Sequence, residues 1–437
     1  MHTETVEGFR LSAQQRRVWL AQAGSSALRA ACALRLSGIE GDAIERALRQ
    51  VAQVHEILRT RFHCLTGMDI PVQVLDEEAA VDLERIAPPA AETAGEAAWE
   101  RRGEELWQSL LAAPVEPERG PLWRAALLSR GDGSHLLVLA LPALLADTRG
   151  LRNLCAELWR VLAEPAGEEH EVAQYADYSD WQNELASAEE GEEGRAYWRR
   201  QQQAAAPIPV LPGEAAPGRL AGFSPAAVPC PVAGDLLQGL DRLDREAAAR
   251  PSTALLACFG ALLARLTGQA RLSISRLFDG RSVEQLEGAL GSFARFLPVA
   301  VRADETFRFA DLHKALADTV AEHEAWQDLV PEAPAAADPA VQLEDVDWPR
   351  WERQPRGGAE LARLWACVDR FKLKLSRLDG ASGPALLLHY DPAFYRESDV
   401  VRLAGQLAAL IAGVAGVAGA AGDPRALLGD LPLLSPA

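Results

Sequence analysis

Apolar and polar positions alternate with two different periods along this chain, and the places where the period changes mark out its elements. Near the start, SAQQRRVWLAQ leads into AACALRLSG, whose period of two predicts a strand. A helix is predicted from Asp42, whose side chain can cap the first turn, because apolar residues recur behind it at helical spacing. LRTRFHC alternates again, as a half-buried strand does. Two further strands, LWRAALLS and HLLVLALP, run into a helix predicted from about Thr148 to Leu162. Between about 200 and 222, QQQAAAPIPVLPGEAAPGRLAG is rich in proline, alanine and glycine and has no amphipathic period, so it reads as a connection. Beyond it, DLLQGLDRLDREAAAR and PSTALLACFGALLARLTG predict two helices, the second capped by Ser252 or Thr253 and ended by Gly268. Strands are expected at RLSISRLF, FLPVAVR, RFKLKLSRL and ALLLHYD. The whole reads as two α/β halves of similar pattern: a first lobe over 1–180, a connecting segment over 181–222 and a second lobe over 223–437.

Composition changes this picture little. A chain of 437 residues exceeds what one hydrophobic core usually supports, which suits two lobes. With 49% hydrophobic and 24% charged residues it can bury large cores. The net charge of −18 argues against nucleic acid or an anionic membrane surface as a partner. The run LAGQLAALIAGVAGVAGAAG (403–422) has membrane-spanning length, but its glycine content and weak hydrophobicity predict a surface helix that closes the fold and enters a flexible turn. Six cysteines stand far apart with no CxxC pair and no Cys/His cluster, so no metal is expected and a reduced, cytoplasmic protein fits. The N-terminus lacks a basic segment followed by an apolar one, so no secretory signal is expected. Nothing indicates oligomerisation, and a monomer is expected.

Short motifs, in order and over nearly the whole chain, carry a family resemblance. They begin with Ser12-Ala-Gln-Gln-Arg-Arg-Val-Trp19 and His55-Glu-Ile-Leu-Arg-Thr-Arg-Phe62, followed by Tyr175-Ala-Asp-Tyr-Ser-Asp-Trp181 with Tyr197-Trp198. Further on come Asp279-Gly-Arg281, Leu290-Gly-Ser-Phe293, Arg370-Phe371, Tyr390 and Leu431-Pro-Leu-Leu-Ser435. Together they resemble the signatures of the condensation domains of nonribosomal peptide synthetases. The resemblance implies two chloramphenicol-acetyltransferase-like lobes in a V shape with an inter-lobe tunnel. His55, Arg59 and Phe62 read as structural residues, and Trp19, Tyr175, Trp181 and Trp198 as core or interface aromatics.

In that family the active site reads HHxxxDG on a loop between a strand and a helix. The matching stretch here is Pro142-Ala-Leu-Leu-Ala-Asp147-Thr148. Pro142 and Ala143 stand where the histidines would be, and Thr148 where the glycine would be. Neither a pyrrolidine ring nor a methyl group accepts a proton, so Ala143 cannot be a general base. The family's aspartate is structural, which implies an Asp147 pair with an arginine of the second lobe; Arg281 is the first candidate and Arg276 the second. The alternative is that Asp147 caps the following helix. By the same resemblance, Arg295 and Phe296 stand where the family has two small polar residues facing the tunnel, and Trp326 stands where it has a histidine, followed by Gln327 as in the family's HQD. His135 lies too far along its strand to substitute, and His323 and His389 read as satisfied or exposed. The pattern of a heterocyclisation domain is absent too, since an aspartate is needed at Pro142.

Arg370, Lys372 and Lys374 alternate on one predicted strand. They read as the charged face of a solvated edge strand, or as contacts for a phosphopantetheine phosphate or an acidic carrier. The resemblance implies peptidyl or acyl carrier protein domains as partners and an adjacent adenylation domain, since the closing LPLLSPA resembles the stretch just before one. No cofactor would be bound directly; the phosphopantetheine arms of carriers would enter as substrates. Two functions follow: amide formation by orienting an amine against a thioester, or a catalytically inactive carrier-binding or gatekeeping module.

Overall fold

HLLVLALP is apolar at every position but its first because it forms a central strand covered on both faces. Leu137, Leu139 and Leu141 point into one hydrophobic core, while Leu136, Val138 and Ala140 meet Trp99, Trp107 and Leu110 on the other side. The structure is a computed structural model that describes residues 8–22, 27–87, 95–130, 132–164, 171–215, 222–331, 339–349, 357–380, 383–416 and 422–434. The turn expected after residue 416, the end at Ser435 and the middle of the connecting segment fall on or across positions outside these residues.

The first half contains β1 (Phe9–Arg10), α1 (Ala13–Ala21), β2 (Arg29–Ser37), α2 (Gly41–Val54), β3 (Thr60–His63), β4 (Val72–Leu75) and β5 (Asp82–Ile86). It continues through α3 (Glu96–Ala112), β6 (Arg124–Ser129), β7 (Ser134–Pro142), α4 (Thr148–Ala163), α5 (Tyr175–Ser187) and α6 (Glu192–Gln203). The second half holds β8 (Ala226–Cys230), α7 (Gly234–Glu246), α8 (Thr253–Thr267), β9 (Arg271–Phe278), β10 (Arg295–Arg302) and α9 (Phe309–Ala325). It ends with β11 (Ala340–Asp347), β12 (Gly358–Ala366), β13 (Phe371–Gly380), β14 (Gly383–Tyr390) and α10 (Glu397–Ala415).

Three sheets result, in the orders β1-β4-β3, β12-β2-β7-β6-β5 and β10-β9-β11-β13-β14-β8. In the largest, β11 runs parallel to both β9 and β13, and its other pairs are antiparallel. The linear division at 222 and 223 does not describe these sheets. Strand β12 leaves the second half and pairs with β2, Gly358 opposite Ser37 and Ala366 opposite Ala30. Helix α5 likewise runs through the boundary expected at 180.

Capping differs from expectation in two places. The N-cap of α2 is Glu40, which makes no side-chain bond there, and Asp42 instead pairs with Arg85 at 2.6 Å. Ser252 precedes α8 in a left-handed conformation without capping it; the amide of Ala254 donates to Asp244 Oδ1 at 2.8 Å. Gly268 does end α8, at φ 67°. Helix α10 is long and apolar enough to span a membrane by length and composition. Yet Leu403, Leu407, Leu410, Ile411 and Val414 are buried in the second core, where α10 meets α7, α8 and β8.

Lys372 and Lys374 are not on a solvated edge. Strand β13 lies between β11 and β14 in the middle of its sheet, and both ammonium groups are buried. Lys372 Nζ donates to Glu214 Oε1 at 2.7 Å and to the Pro209 carbonyl at 2.6 Å. Lys374 Nζ reaches Glu344 Oε1 and the Ala366 carbonyl, each at 2.8 Å. Alternation with Leu373 and Leu375 gave the pattern of an exposed face, but both faces of this strand are covered and the charges are neutralised inside. Arg370 precedes the strand, its guanidinium 5.9 Å from the Phe223 ring. A carrier contact through Lys372 or Lys374 is thereby excluded.

Candidate functional site

The loop between β7 and α4 is held from several sides. The Pro142 carbonyl accepts the Leu145 amide at 2.9 Å, and the Ala143 amide donates to Leu28 O at 3.1 Å. From α1, Gln15 Nε2 donates to Leu144 O at 3.2 Å, while Ser12 and Gln15 form a reciprocal capping box. The opening SxAQxRxW motif thus braces the loop. Ala143, Leu144 and Leu145 are 0% exposed.

Asp147 both caps α4 and pairs with Arg281, so the two readings of this residue describe one arrangement. Its Oδ1 accepts the Gly150 amide at 2.6 Å and Arg281 Nη2 at 3.3 Å. Its Oδ2 accepts the amides of Phe293 and Ala294, each at 2.8 Å, and Arg281 Nη1 at 3.2 Å. Both side chains are 0% exposed. Burial works against the Arg281 charge, but Asp147 and Asp279 more than offset it and raise its affinity for the proton. The guanidinium also lies 4.3 Å from the Phe293 ring. Arg276, the second candidate, instead holds the start of α8 through Thr253 Oγ1 and the Pro251 carbonyl.

Two glycines let this junction close. Gly280 turns at φ 73°, where a Cβ would sit 2.4 Å from the Phe293 carbonyl oxygen, and its amide donates to Gln327 Oε1 at 2.9 Å. Gly291 has φ 155°, and a Cβ there would lie 1.9 Å from the Tyr175 ring. The Tyr175 hydroxyl in turn donates to the Ser292 carbonyl at 2.6 Å and meets Ser12 Oγ at 2.7 Å. Trp181, grouped with the core aromatics by its motif, is 42% exposed, because Tyr175 and Tyr178 occupy the inner face of α5.

Two inter-lobe cavities flank the junction. The larger, about 720 Å³, is lined by Thr148, Arg149, Arg276, Arg281 and Gln327 among others. The smaller, about 280 Å³, is lined from α1 and from Arg295 and Phe296. Neither lining includes Pro142, Ala143 or Asp147. Trp326 lines neither; its ring abuts Gly194 and its carbonyl accepts Trp198 Nε1 at 2.7 Å. Arg295 lies against the Tyr178 hydroxyl, whose pKa burial pushes up to about 12.

The histidines are engaged elsewhere. His135 sits at the far end of β7 between Ser129 Oγ and the Ile39 carbonyl. His323 Nε2 donates to Pro298 O at 3.1 Å, so its Nδ1 accepts the Tyr197 hydroxyl at 2.7 Å; burial holds its pKa down. His389 is buried beside Lys374, and both effects lower its pKa well below the ordinary value. Sequence reasoning missed the pinning of the DGR turn by Gln327 and the bracing of the loop by Gln15; the SxxQ box was the available signal for the second.

Two α/β lobes with a strand exchanged between them, closed by buried Asp147 of the β7-to-α4 loop against Arg281 from the turn after β9, define a chloramphenicol-acetyltransferase-like fold. The condensation-domain profile matches residues 7–329, and the chain belongs to the condensation-domain family. It is 24% identical over 431 residues to a plipastatin synthase of Bacillus subtilis (strain 168), covering 94% of this chain and 11% of that protein. It is 30% identical over 303 residues to a linear gramicidin synthase of Brevibacillus parabrevis, covering 68% and 4%. The chain therefore spans about a tenth or less of these relatives. Among solved structures, the condensation domain from monacolin K polyketide synthase MokA superposes with a TM-score of 0.79 at 19% identity, covering 97% of this chain and 99% of that one. The X-domain from teicoplanin biosynthesis does so with 0.77 at 23%, covering 98% of each.

Proposed function

We propose that this chain is the condensation-type domain of a cytoplasmic nonribosomal peptide synthetase, and that it docks carrier-tethered acyl and aminoacyl groups without forming the amide bond itself. The observation that carries this is Ala143, a fully buried methyl group at the position of the base, on a loop that lines neither cavity. Neither Asp147 nor His323 is free to replace it. A carboxylate offers about four lone-pair sites, and Asp147 already accepts five donors. Both ring nitrogens of His323 are taken.

Partner docking is supported by a relative of the same fold, the teicoplanin X-domain, which has been solved in a complex with OxyB. Here the partners would be carrier domains, whose phosphopantetheine arms would enter the cavity beside Thr148, and an adjacent adenylation domain. The test supplies purified protein with loaded donor and acceptor carriers. Carrier binding is expected with no product above a carrier-only control, and Ala143→His is expected to add none, since the new ring would have no access to either cavity. Product above the control from the unmodified chain would overturn the proposal in favour of amide formation by orientation alone.

A further inference from the structure

The acidic side chains that line the larger cavity are engaged or exposed, with one exception. Asp279 meets Arg149 at 2.6 Å and Arg281 at 2.8 Å, Asp347 meets Arg152 at 3.3 Å, and Glu324 pairs with Arg250. Glu287 is exposed. Asp345 is the exception. It stands on β11, between β9 and β13 in the middle of the six-stranded sheet, on the face where Val341 and Leu343 enter the second core. Its side chain lines the cavity and is 30% exposed. The carboxylate makes no hydrogen bond among the described residues, and its one ion-pair contact there is Arg276 Nη2 at 3.9 Å. Both flanking guanidiniums are committed elsewhere. Arg276 donates to the Pro251 carbonyl at 2.6 Å and to Thr253 Oγ1 at 3.2 Å, while Arg377, opposite Asp345 on β13, meets Asp241 and Asp379. Burial raises the proton affinity of Asp345, and Arg276 and Arg377 only partly offset it, so a cation brought into the cavity would relieve an existing cost. A carboxylate offers about four lone-pair sites, and here the protein fills none of them.

We infer that Asp345 receives the ammonium group of an aminoacyl chain borne on a phosphopantetheine arm, and that the larger cavity thereby selects amine-bearing chains over plain acyl chains. The inference rests on the reading that such arms enter this cavity, and names the group inside it that tells them apart. Asp345 lies outside every motif that carries the family resemblance. Forming a thioester consumes an amino acid's carboxylate, so the ammonium is the charge that a tethered aminoacyl group with an uncharged side chain brings in. Away from bulk water that charge needs a counter-charge. A free amino acid fits less well, because its carboxylate would meet guanidiniums that already have partners. The volume of about 720 Å³ has room for the end of the arm together with a side chain. A carboxylate beside the amine also keeps it protonated, and an ammonium has no lone pair with which to attack a thioester. Binding through Asp345 thus agrees with docking without amide formation, and is the reverse of what a general base does.

Titration calorimetry of the full chain with leucyl-pantetheine and isocaproyl-pantetheine, each with an amide nitrogen in place of the thioester sulfur, tests it; the two probes differ only in the amine. The leucyl probe is expected to bind about tenfold tighter. Asp345→Asn is expected to bring its affinity down to the isocaproyl level, and Asp345→Glu, which keeps the carboxylate, to retain most of the preference. Equal affinity for the two probes, no saturable binding of either to the folded wild type, or a preference that survives Asp345→Asn overturns the inference. If Asp345→Asn does not fold, Asp345→Ser takes its place with the same expectation. Failure of loaded carriers to dock, with the leucyl preference intact, would sink the proposed function and leave the role of Asp345 standing; carriers that dock equally well with leucyl and isocaproyl loads would do the opposite.

Discussion

Asp147 serves as a fastener and not as a reagent. Both of its oxygens are saturated by two lobes at once: Gly150 from α4, and Phe293, Ala294 and Arg281 from the second half. Asp147→Asn removes the charge that faces Arg281 and turns an amide group toward donors. A loss of about 2–4 kcal/mol in unfolding free energy is expected, because the buried arginine keeps only Asp279 as a counter-charge and the Phe293 and Ala294 amides lose their charged acceptor. Urea denaturation followed by intrinsic fluorescence measures it; an unchanged midpoint would show that the pair does not hold the lobes. His389 gives a second residue-level prediction. Burial and Lys374 keep its pKa well below 6.5, so the folded chain refuses a proton that the unfolded chain takes up as pH falls through that value. More protons are then bound in the unfolded state, and stability declines with acidification by at most about 1.4 kcal/mol per pH unit. His389→Phe should flatten that decline between about pH 7 and about pH 5.5, seen as a smaller change in urea midpoint than in the wild type.

At the scale of elements, strand β13 shows why a pattern of alternating charge is ambiguous. Lys372, Lys374 and Arg377 all lie in a central strand and meet Glu214, Glu344 and Asp241. Period two states only that alternate residues share a face; whether that face meets water depends on the neighbouring layer. Here Glu344 comes from β11, whose pairing with β13 sets Glu344 opposite Ser376. Lys374→Met is expected to destabilise by about 3–5 kcal/mol by orphaning Glu344, and adding Glu344→Leu should restore much of it, since an apolar pair avoids the desolvation cost. A double-mutant cycle in urea gives both numbers, and additive losses would contradict the pairing.

The molecule as a whole is knit together by β12, which belongs to the five-stranded sheet of the first half while arising from the second half. A fragment of residues 1–222 therefore lacks the strand that covers β2 and leaves that edge open to aggregation. It is expected to be insoluble or to lack cooperative unfolding, and to be rescued when 223–437 is co-expressed; a soluble, cooperatively melting 1–222 would count against this. Much of the architecture was legible beforehand. Strands β2, β6, β7, β9, β10 and β14 and helices α4 and α8 follow from local periodicity and caps, because burial on one or two faces writes itself into the order of apolar residues. The absence of a proton acceptor in the side chains of Pro142 and Ala143 was equally plain, since no fold can give a methyl group a lone pair. What the order of residues did not carry was which layers meet. The exchange of β12, the burial of Lys372 and Lys374, and the exposure of Trp181 each depend on contacts between segments far apart in the chain. The same holds for Gln14 and Arg295, 281 positions apart, which line one cavity only because α1 and β10 are brought to its walls by the tertiary fold.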